Sequence, residues 1–395
     1  KFEVYFGDGV TGFKPADGSI VILEYIVTNA DVSNGASAFS LQGTIGGFSD
    51  VAITVNSASS GGTQRESQES IKFNAPLNYA AQDRAVTATD YETIVKNIFP
   101  NAQSVSAWGG EDDETPRYGI VKIAIKPKSG STLTETTKNN IVTQLAPFNV
   151  GSVLPSIVDP ETTSILLSSN VKFDAKSTTK TADTLKSEIT TKISDYNRDT
   201  LQQFDSVFRY SKLTGIIDNT DPSILSNITT VKMRKDFTPT LGSSNAYSIF
   251  FRNALYNPHS GHNMSGGGIL QSTGFKVAGD LVNEHFLDDD GNGNVRRYFL
   301  VSGVKTYANS SQGTIDYETG SITLNSLAIS SISNIRGAAS TVIELTVTPA
   351  SNDITPVRDQ IVEIDIANST INVSQDTFVG GSSEAGIGYT TTSSY

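Results

Sequence analysis

The 395-residue chain contains no cysteine. Disulfides, thiolate metal sites and cysteine nucleophiles are excluded, and the fold must stand on packing alone. That suits a reducing compartment. Histidine is nearly as scarce: only His259, His262 and His285 occur. His259 and His262 have the i, i+3 spacing of two ligands on a helix face, but Ser260-Gly261 between them disfavours a helix. No G-x-S-x-G, H-E-x-x-H or P-loop motif is present. The expectation is a non-enzyme with no catalytic, cofactor-binding or metal residue. Charge is thin too, at 18% charged residues and a net charge of −12. A nucleic-acid binder needs a basic stripe to displace counterions from phosphate. The densest basic stretch is Lys232-Met233-Arg234-Lys235, which a helix end or strand edge explains as well. No nucleic-acid partner is expected. No apolar run approaches the roughly 18 residues of a membrane span, so no membrane partner is expected either.

What is present is β-branched and neutral-polar. Hydrophobic residues make up 37% of the chain, and Ser, Thr, Asn and Gly are conspicuous. Val, Ile and Thr suit pleated, half-buried surfaces. The length favours two to four domains. No signal-peptide pattern opens the chain. It begins at Lys1 in a strand-like pattern (Phe2, Val4, Phe6), which reads as a fragment lacking its N-terminal part.

Four segments follow. Residues 1–75 read as a β-rich domain, truncated at its start, with strand runs at Ile20–Val27 and Val51–Val55. Residues 76–150 read as α+β. Thr89-Asp90-Tyr91-Glu92 has the capping-box pattern, and Tyr91, Ile94, Val95 and Ile98 follow at helical spacing before Pro100. Strands at Ser104–Trp108 and Tyr118–Lys126 and a helix at Leu133–Leu145 complete a ferredoxin-like sandwich order. Residues 151–236 read as a second α+β unit, with strands at Ile165–Leu167, Val171–Phe173 and Thr229–Met233. Its helices run over Thr181–Phe204 and Ser211–Asn219. Residues 237–395 return to short strands: Tyr298–Val301, Thr314–Tyr317, Ser321–Leu324, Val342–Val347 and Ile361–Ile366. Their tail, 380–395, is Gly, Ser and Thr and is expected to be mobile. The fold class expected is thus multidomain α+β, with β-rich N- and C-terminal parts flanking ferredoxin-like units.

Three local patterns imitate functional motifs. Gly7-Asp8-Gly9-Val10-Thr11-Gly12 spells G-x-G-x-x-G, but Phe13-Lys14-Pro15 after it cannot open the helix a dinucleotide site requires. Asp288-Asp289-Asp290-Gly291-Asn292-Gly293 begins like a calcium loop, yet the twelfth position is Phe299 where a bidentate Glu is needed. A solvated hairpin turn is expected there. Glu111-Asp112-Asp113-Glu114 reads as a hydrated loop with the potential to meet a partner electrostatically. Trp108, the only tryptophan, is expected to pack in a core.

Several segments resemble the baseplate J-like family, and more closely the baseplate wedge proteins of T-even-type contractile-tailed phages. They are Phe6 to Gly12, Ala75-Pro76, Ala81 to Glu92, Phe99-Pro100, Gly109 to Asp112 and Tyr118 to Ile123. The match is concentrated in residues 1–150, and Asp83 to Tyr91 is its most specific run. The resemblance implies a virion protein of the tail baseplate, assembled in the host cytoplasm. It further implies homodimer contacts that close a sixfold inner ring around the hub. Partners would include other wedge proteins, among them a lysozyme-like subunit on which the sheath begins. The ring would rearrange on contraction during host entry. The 14 tyrosines and neutral polar surfaces suit such contacts. Two other readings fit the composition: a β-rich adhesin or carbohydrate-binding module, and a polysaccharide-degrading tail enzyme. The last needs paired carboxylates in a cleft. Interface residues are not identifiable from the sequence.

Overall fold

The computed structural model of the chain describes residues 5–376 apart from 11, 25, 26, 28, 31, 54, 56–58, 60, 61, 63, 114, 115, 129, 131, 152 and 262–267. The chain divides into two units, Lys1–Ser70 and Ile71–Tyr395. The tail at 380–395 lies outside the described residues.

In the first unit the described residues form turns and extended segments, with one isolated bridge, Ile45–Phe48. The β-rich reading of residues 1–75 is not realised among them. The run at 20–27 has strand propensity, but Ile20 and Ile22 are 88% and 81% exposed. A strand persists only where a neighbour accepts its ladder and covers a face. Helix α1 (Gln68–Ala81) begins in the last residues of this unit, lies mostly in the next, and carries Pro76 in its interior.

Next comes an α-β-β-α-β domain: α2 (Ala88–Ile98), β1 (Ala102–Gly109), β2 (Ile120–Pro127), α3 (Glu135–Leu145) and β3 (Leu154–Val158). The capping box exists two residues earlier than expected. Thr87 Oγ1 accepts from Asp90 N at 3.3 Å while Asp90 Oδ2 accepts from Thr87 N at 2.9 Å. Glu92 instead accepts from Ala107 N at 3.0 Å and so fastens the helix to β1. Tyr91, Ile94 and Val95 pack on Val105, Ile123, Ile125, Ile141 and Leu145 as a separate core. β1 and β2 are antiparallel, and β2 and β3 are adjacent and parallel. A ferredoxin-like unit needs two βαβ crossovers. Here no strand precedes α2 within the domain, so one crossover is missing and the unit is not ferredoxin-like.

The remainder is a sheet with a barrel inserted in it. β4 (Glu161–Phe173) leads through α4 (Ala182–Tyr196) and α5 (Tyr210–Asp218) to its antiparallel neighbour β5 (Ile224–Phe237). Thr181 caps α4, whose Leu185, Ile189, Ile193 and Tyr196 are buried; a π turn at Asn197–Leu201 ends the helix short of Phe204. Then come β6 (Ser244–Phe250), β7 (Gln271–Ser272), β8 (Phe275–Val277), β9 (Asp280–Asp289), β10 (Asn294–Val301), β11 (Val304–Asp316) and β12 (Ser321–Ile332). β8 to β12 close into a barrel through the β11–β12 pairing, and β6 adds to β12. Gly313 makes the seam possible: a Cβ there would lie 2.0 Å from the Thr323 carbonyl oxygen.

The chain then returns to the sheet. β13 (Ile343–Val347) pairs with β5, while β14 (Gln360–Ile364) and β15 (Thr370–Gln375) lie in tandem, parallel to β4. The expected boundary at 236/237 is therefore not a domain boundary. Phe237 pairs with Ile343, so the barrel leaves and re-enters the sheet at neighbouring positions. One buried cluster runs from Ile165, Met233 and Leu345 in the sheet to Phe275, Leu287 and Ile322 in the barrel. Among the described residues no helix is long and apolar enough to cross a membrane.

Candidate functional site

The α-β-β-α-β domain joins the rest of its unit through a small contact. Ala124, Phe204 and Ile361 form a buried trio with Trp108 and Val158 packed against it. Phe204 N donates to Ser104 Oγ at 3.1 Å, Gln103 Nε2 donates to the Arg198 carbonyl at 3.1 Å, and the Arg358 guanidinium donates to the Asp112 carbonyl. Beside this trio opens a cleft of about 350 Å³. Its charged walls are Asp113, Arg117, Lys122, Arg252, Arg358 and Asp359, with Trp108 and Val158 as its apolar part.

Part of the acidic run lies here. Asp113 pairs with Lys122 at 2.6 Å and accepts from Trp108 Nε1 at 3.3 Å. Burial works to raise its pKa, but those two bonds outweigh burial and hold it below the ordinary carboxylate value. Glu111 and Asp112 are exposed, and Glu114 lies outside the described residues. Asp359 is shifted upward, because burial outweighs the attraction of Arg252. Trp108 is half-buried and packs as expected, though at an inter-domain contact and not within one core.

The other candidates disperse. Gly7 N donates to the Phe13 carbonyl and Gly9 N to the Gly12 carbonyl, so the glycine motif is a turn; Thr11 lies outside the described residues. His259 is exposed, and His262 is outside the described residues. His285 is buried in the barrel wall, its Nε2 at 3.1 Å from Asp280 Oδ2. Among the described residues no three His, Cys, Asp or Glu gather as a metal site. The basic stretch is neither a helix end nor a strand edge. It lies in the interior strand β5, where two of its three charges, Arg234 and Lys235, are paired. Arg234 reaches Asp365 at 2.5 Å and Asp236 at 3.0 Å, and Lys235 pairs with Glu161.

The aspartate run departs furthest from expectation. Only Asp290 behaves as a turn residue, accepting from Asn292 N at 2.8 Å and Asn294 N at 3.0 Å. Asp288 and Asp289 are fully buried. Asp288 accepts from Arg296 Nε at 3.0 Å, Lys305 Nζ at 2.8 Å and Tyr307 OH at 3.0 Å. Asp289 accepts from Leu270 N at 2.9 Å and Tyr317 OH at 2.7 Å, and burial followed by that bond pushes the Tyr317 phenol upward. These carboxylates hold the barrel wall together; their oxygens are occupied by the chain's own donors. No sequence signal distinguishes them from solvated turn residues, since their partners lie 8 to 28 positions away.

Residues 87–158 match the family model described as Baseplate structural protein gp6, C-terminal domain I. Residues 162–236 match the one described as Baseplate structural protein gp6, C-terminal domain III. The chain is 28% identical over 299 residues to Baseplate wedge protein gp6 of Enterobacteria phage T4, covering 66% of this chain and 45% of that protein. The chain thus spans about half the length of this curated relative. A solved structure, the cryo-EM structure of the anti-feeding prophage (AFP) baseplate, 6-fold symmetrised, is similar at a TM-score of 0.33 and 14% identity. That likeness covers 43% of this chain and 38% of the other. The domain matches reach residue 236, beyond the 1–150 range in which the sequence resemblance is concentrated. Both matched descriptions are of a structural protein and not of an enzyme. The resemblance read from the sequence is borne out: over two of its domains and in overall alignment this chain is baseplate wedge-like.

Proposed function

We propose that the chain is a structural wedge subunit of a contractile-tail baseplate, working in the virion through contacts with copies of itself and with other tail proteins. The observation that carries this is the pair of domain matches covering 87–158 and 162–236, which meet at the joint beside Trp108. In this reading homodimer contacts close an inner ring of sixfold symmetry around the hub. A lysozyme-like wedge subunit docks on that ring, and the ring expands when the sheath contracts and the genome is ejected. Assembly takes place in the host cytoplasm, late in infection.

The construction of the second unit supports a rearranging role. A domain with its own core is tied to a larger body by three buried apolar residues and a few hydrogen bonds. Such a contact can shift as a rigid-body hinge without disturbing either core. Light scattering on the purified chain, alone and mixed with wedge components of the same tail, tests the reading. Dimers and mixed complexes are expected. A monomer that ignores every wedge component would overturn it.

A further inference from the structure

The cleft beside Trp108 is unusual in an acidic chain. Four cations, Arg117, Lys122, Arg252 and Arg358, face two carboxylates, Asp113 and Asp359, so the lining carries 4 − 2 = +2 in a chain of net charge −12. Among the described residues, local ion pairs do not cancel this excess. Asp113 is already counted as the partner of Lys122. Glu161 lies 3.6 Å from Arg252 but is also paired with Lys235, and including both leaves the sum at +2. The side chains of Lys122 and Arg252 are 24% and 29% exposed, partly withdrawn from water, where charge attraction is stronger.

Two of the cations are also held in a costly backbone form. Arg252 and Arg358 both have φ of +54°, in the left-handed region that non-glycine residues adopt reluctantly. They come from separate segments, one following β6 and one preceding β14, and both turn toward the same cleft.

We propose that this cleft is a docking slot for an acidic peptide segment of a neighbouring protein. Carboxylate side chains would meet the arginines, with their methylene stems against Trp108 and Val158. Asp113 and Asp359, interleaved among the cations, repel a compact multiply charged anion such as phosphate. A peptide can place its carboxylates between them. The slot is inferred from its own lining and does not depend on the baseplate reading.

Trp108 is the only tryptophan, so intrinsic fluorescence reports on this cleft directly. The full chain at low salt is titrated with a hexapeptide of alternating Glu and Gly, with the all-Lys hexapeptide and inorganic phosphate at matched ionic strength as controls. A saturable change in Trp108 emission is expected with the acidic peptide alone. The Arg117→Glu/Arg252→Glu variant reverses two charges and takes the lining from +2 to −2. Its affinity is expected to fall at least tenfold. Circular dichroism verifies its fold, and Arg117→Ala alone serves if the double variant does not fold. Its expected loss is a few-fold. Absence of a saturable change, an equal change with phosphate, or unaltered affinity in the folded variant would overturn the proposal. None of these outcomes would alter the light-scattering result expected of a wedge subunit.

Discussion

Replacing Asp288 with asparagine isolates the charge at the centre of the barrel wall. The amide has the shape of the carboxylate, so packing is preserved. Arg296 and Lys305, which donate to Asp288 at 3.0 and 2.8 Å, then lose the charge that compensates them. Removing one partner of a buried ion pair costs about 3–5 kcal/mol. Lys305 is a third exposed and can turn to water, which lowers the expected cost to about 2–3 kcal/mol. At 1.4 kcal/mol per factor of ten, that is about 30- to 150-fold more frequent opening of the wall. Hydrogen exchange read by mass spectrometry on β9, β10 and β11 measures the opening directly. Amides of α2 and β1, in a separate core, should keep their protection. Combining Asp288→Asn with Lys305→Met should cost less than the sum of the two changes, because the second removes a charge the first left unpaired. Exchange in the barrel altered less than about fivefold by Asp288→Asn would refute the view that this cluster holds the wall.

Three further outcomes are expected. Thr87→Ala removes the cap of α2 and should destabilise the α-β-β-α-β domain by about 1 kcal/mol, seen as faster exchange in α2 with the barrel unchanged. Gly313→Ala places a methyl against the Thr323 carbonyl and should loosen the β11–β12 seam by about 1–3 kcal/mol; unaltered protection at 313–316 would contradict the close-approach argument. Bonds from Lys180 and then Ser223 hold the Asp221 carboxyl down to about 2. A carboxylate with a depressed folded-state pKa stabilises the fold above its unfolded value and loses that contribution as pH falls through the folded one. The melting-temperature gap between the parent chain and Asp221→Asn should therefore be widest above about pH 4 and close by about pH 2. A gap that widens on acidification would show the sign to be wrong.

Legibility followed the range of the interactions. α2, α3, α4 and α5 were visible because apolar spacing and caps are written within a dozen residues. β1, β2, β4, β5 and β10 to β14 were visible in part as β-branched or alternating runs. What was not visible is pairing. β5 meets β13 more than a hundred positions later, so the sequence order suggested a new domain where the sheet only pauses. β15 is short and half-polar and acquires its status from lying along β4. At the candidate joint, Asp113 and Trp108 were noticed, but for the wrong neighbourhoods. Arg252 and Arg358 had no signal, because what distinguishes them is a shared cleft and a left-handed backbone.

Topology and packing point in opposite directions on which part of the second unit is free to move. By topology the barrel is the detachable part, since Phe237 and Ile343 are paired neighbours and a short turn could replace everything between them. By packing it is not. Phe251, Leu255, Ile269 and Leu270 share one buried cluster with Met233, Leu345 and Val362 of the sheet. Excising the barrel would expose that cluster at about 1.5–3 kcal/mol per large apolar side chain, so a handful of residues already matches the whole stability of an ordinary domain. The α-β-β-α-β domain shows the reverse pattern. It is contiguous in sequence and keeps Tyr91, Val95, Ile123 and Leu145 in a core of its own. Among the described residues the buried apolar cluster across the joint is the trio Ala124, Phe204 and Ile361, with Trp108 and Val158 packed against it. Burying three side chains of which one is an alanine is worth about 3–6 kcal/mol, within reach of the free energy a partner contact supplies. Any rigid-body change within this unit therefore has its hinge beside Trp108, with barrel and sheet moving as one piece.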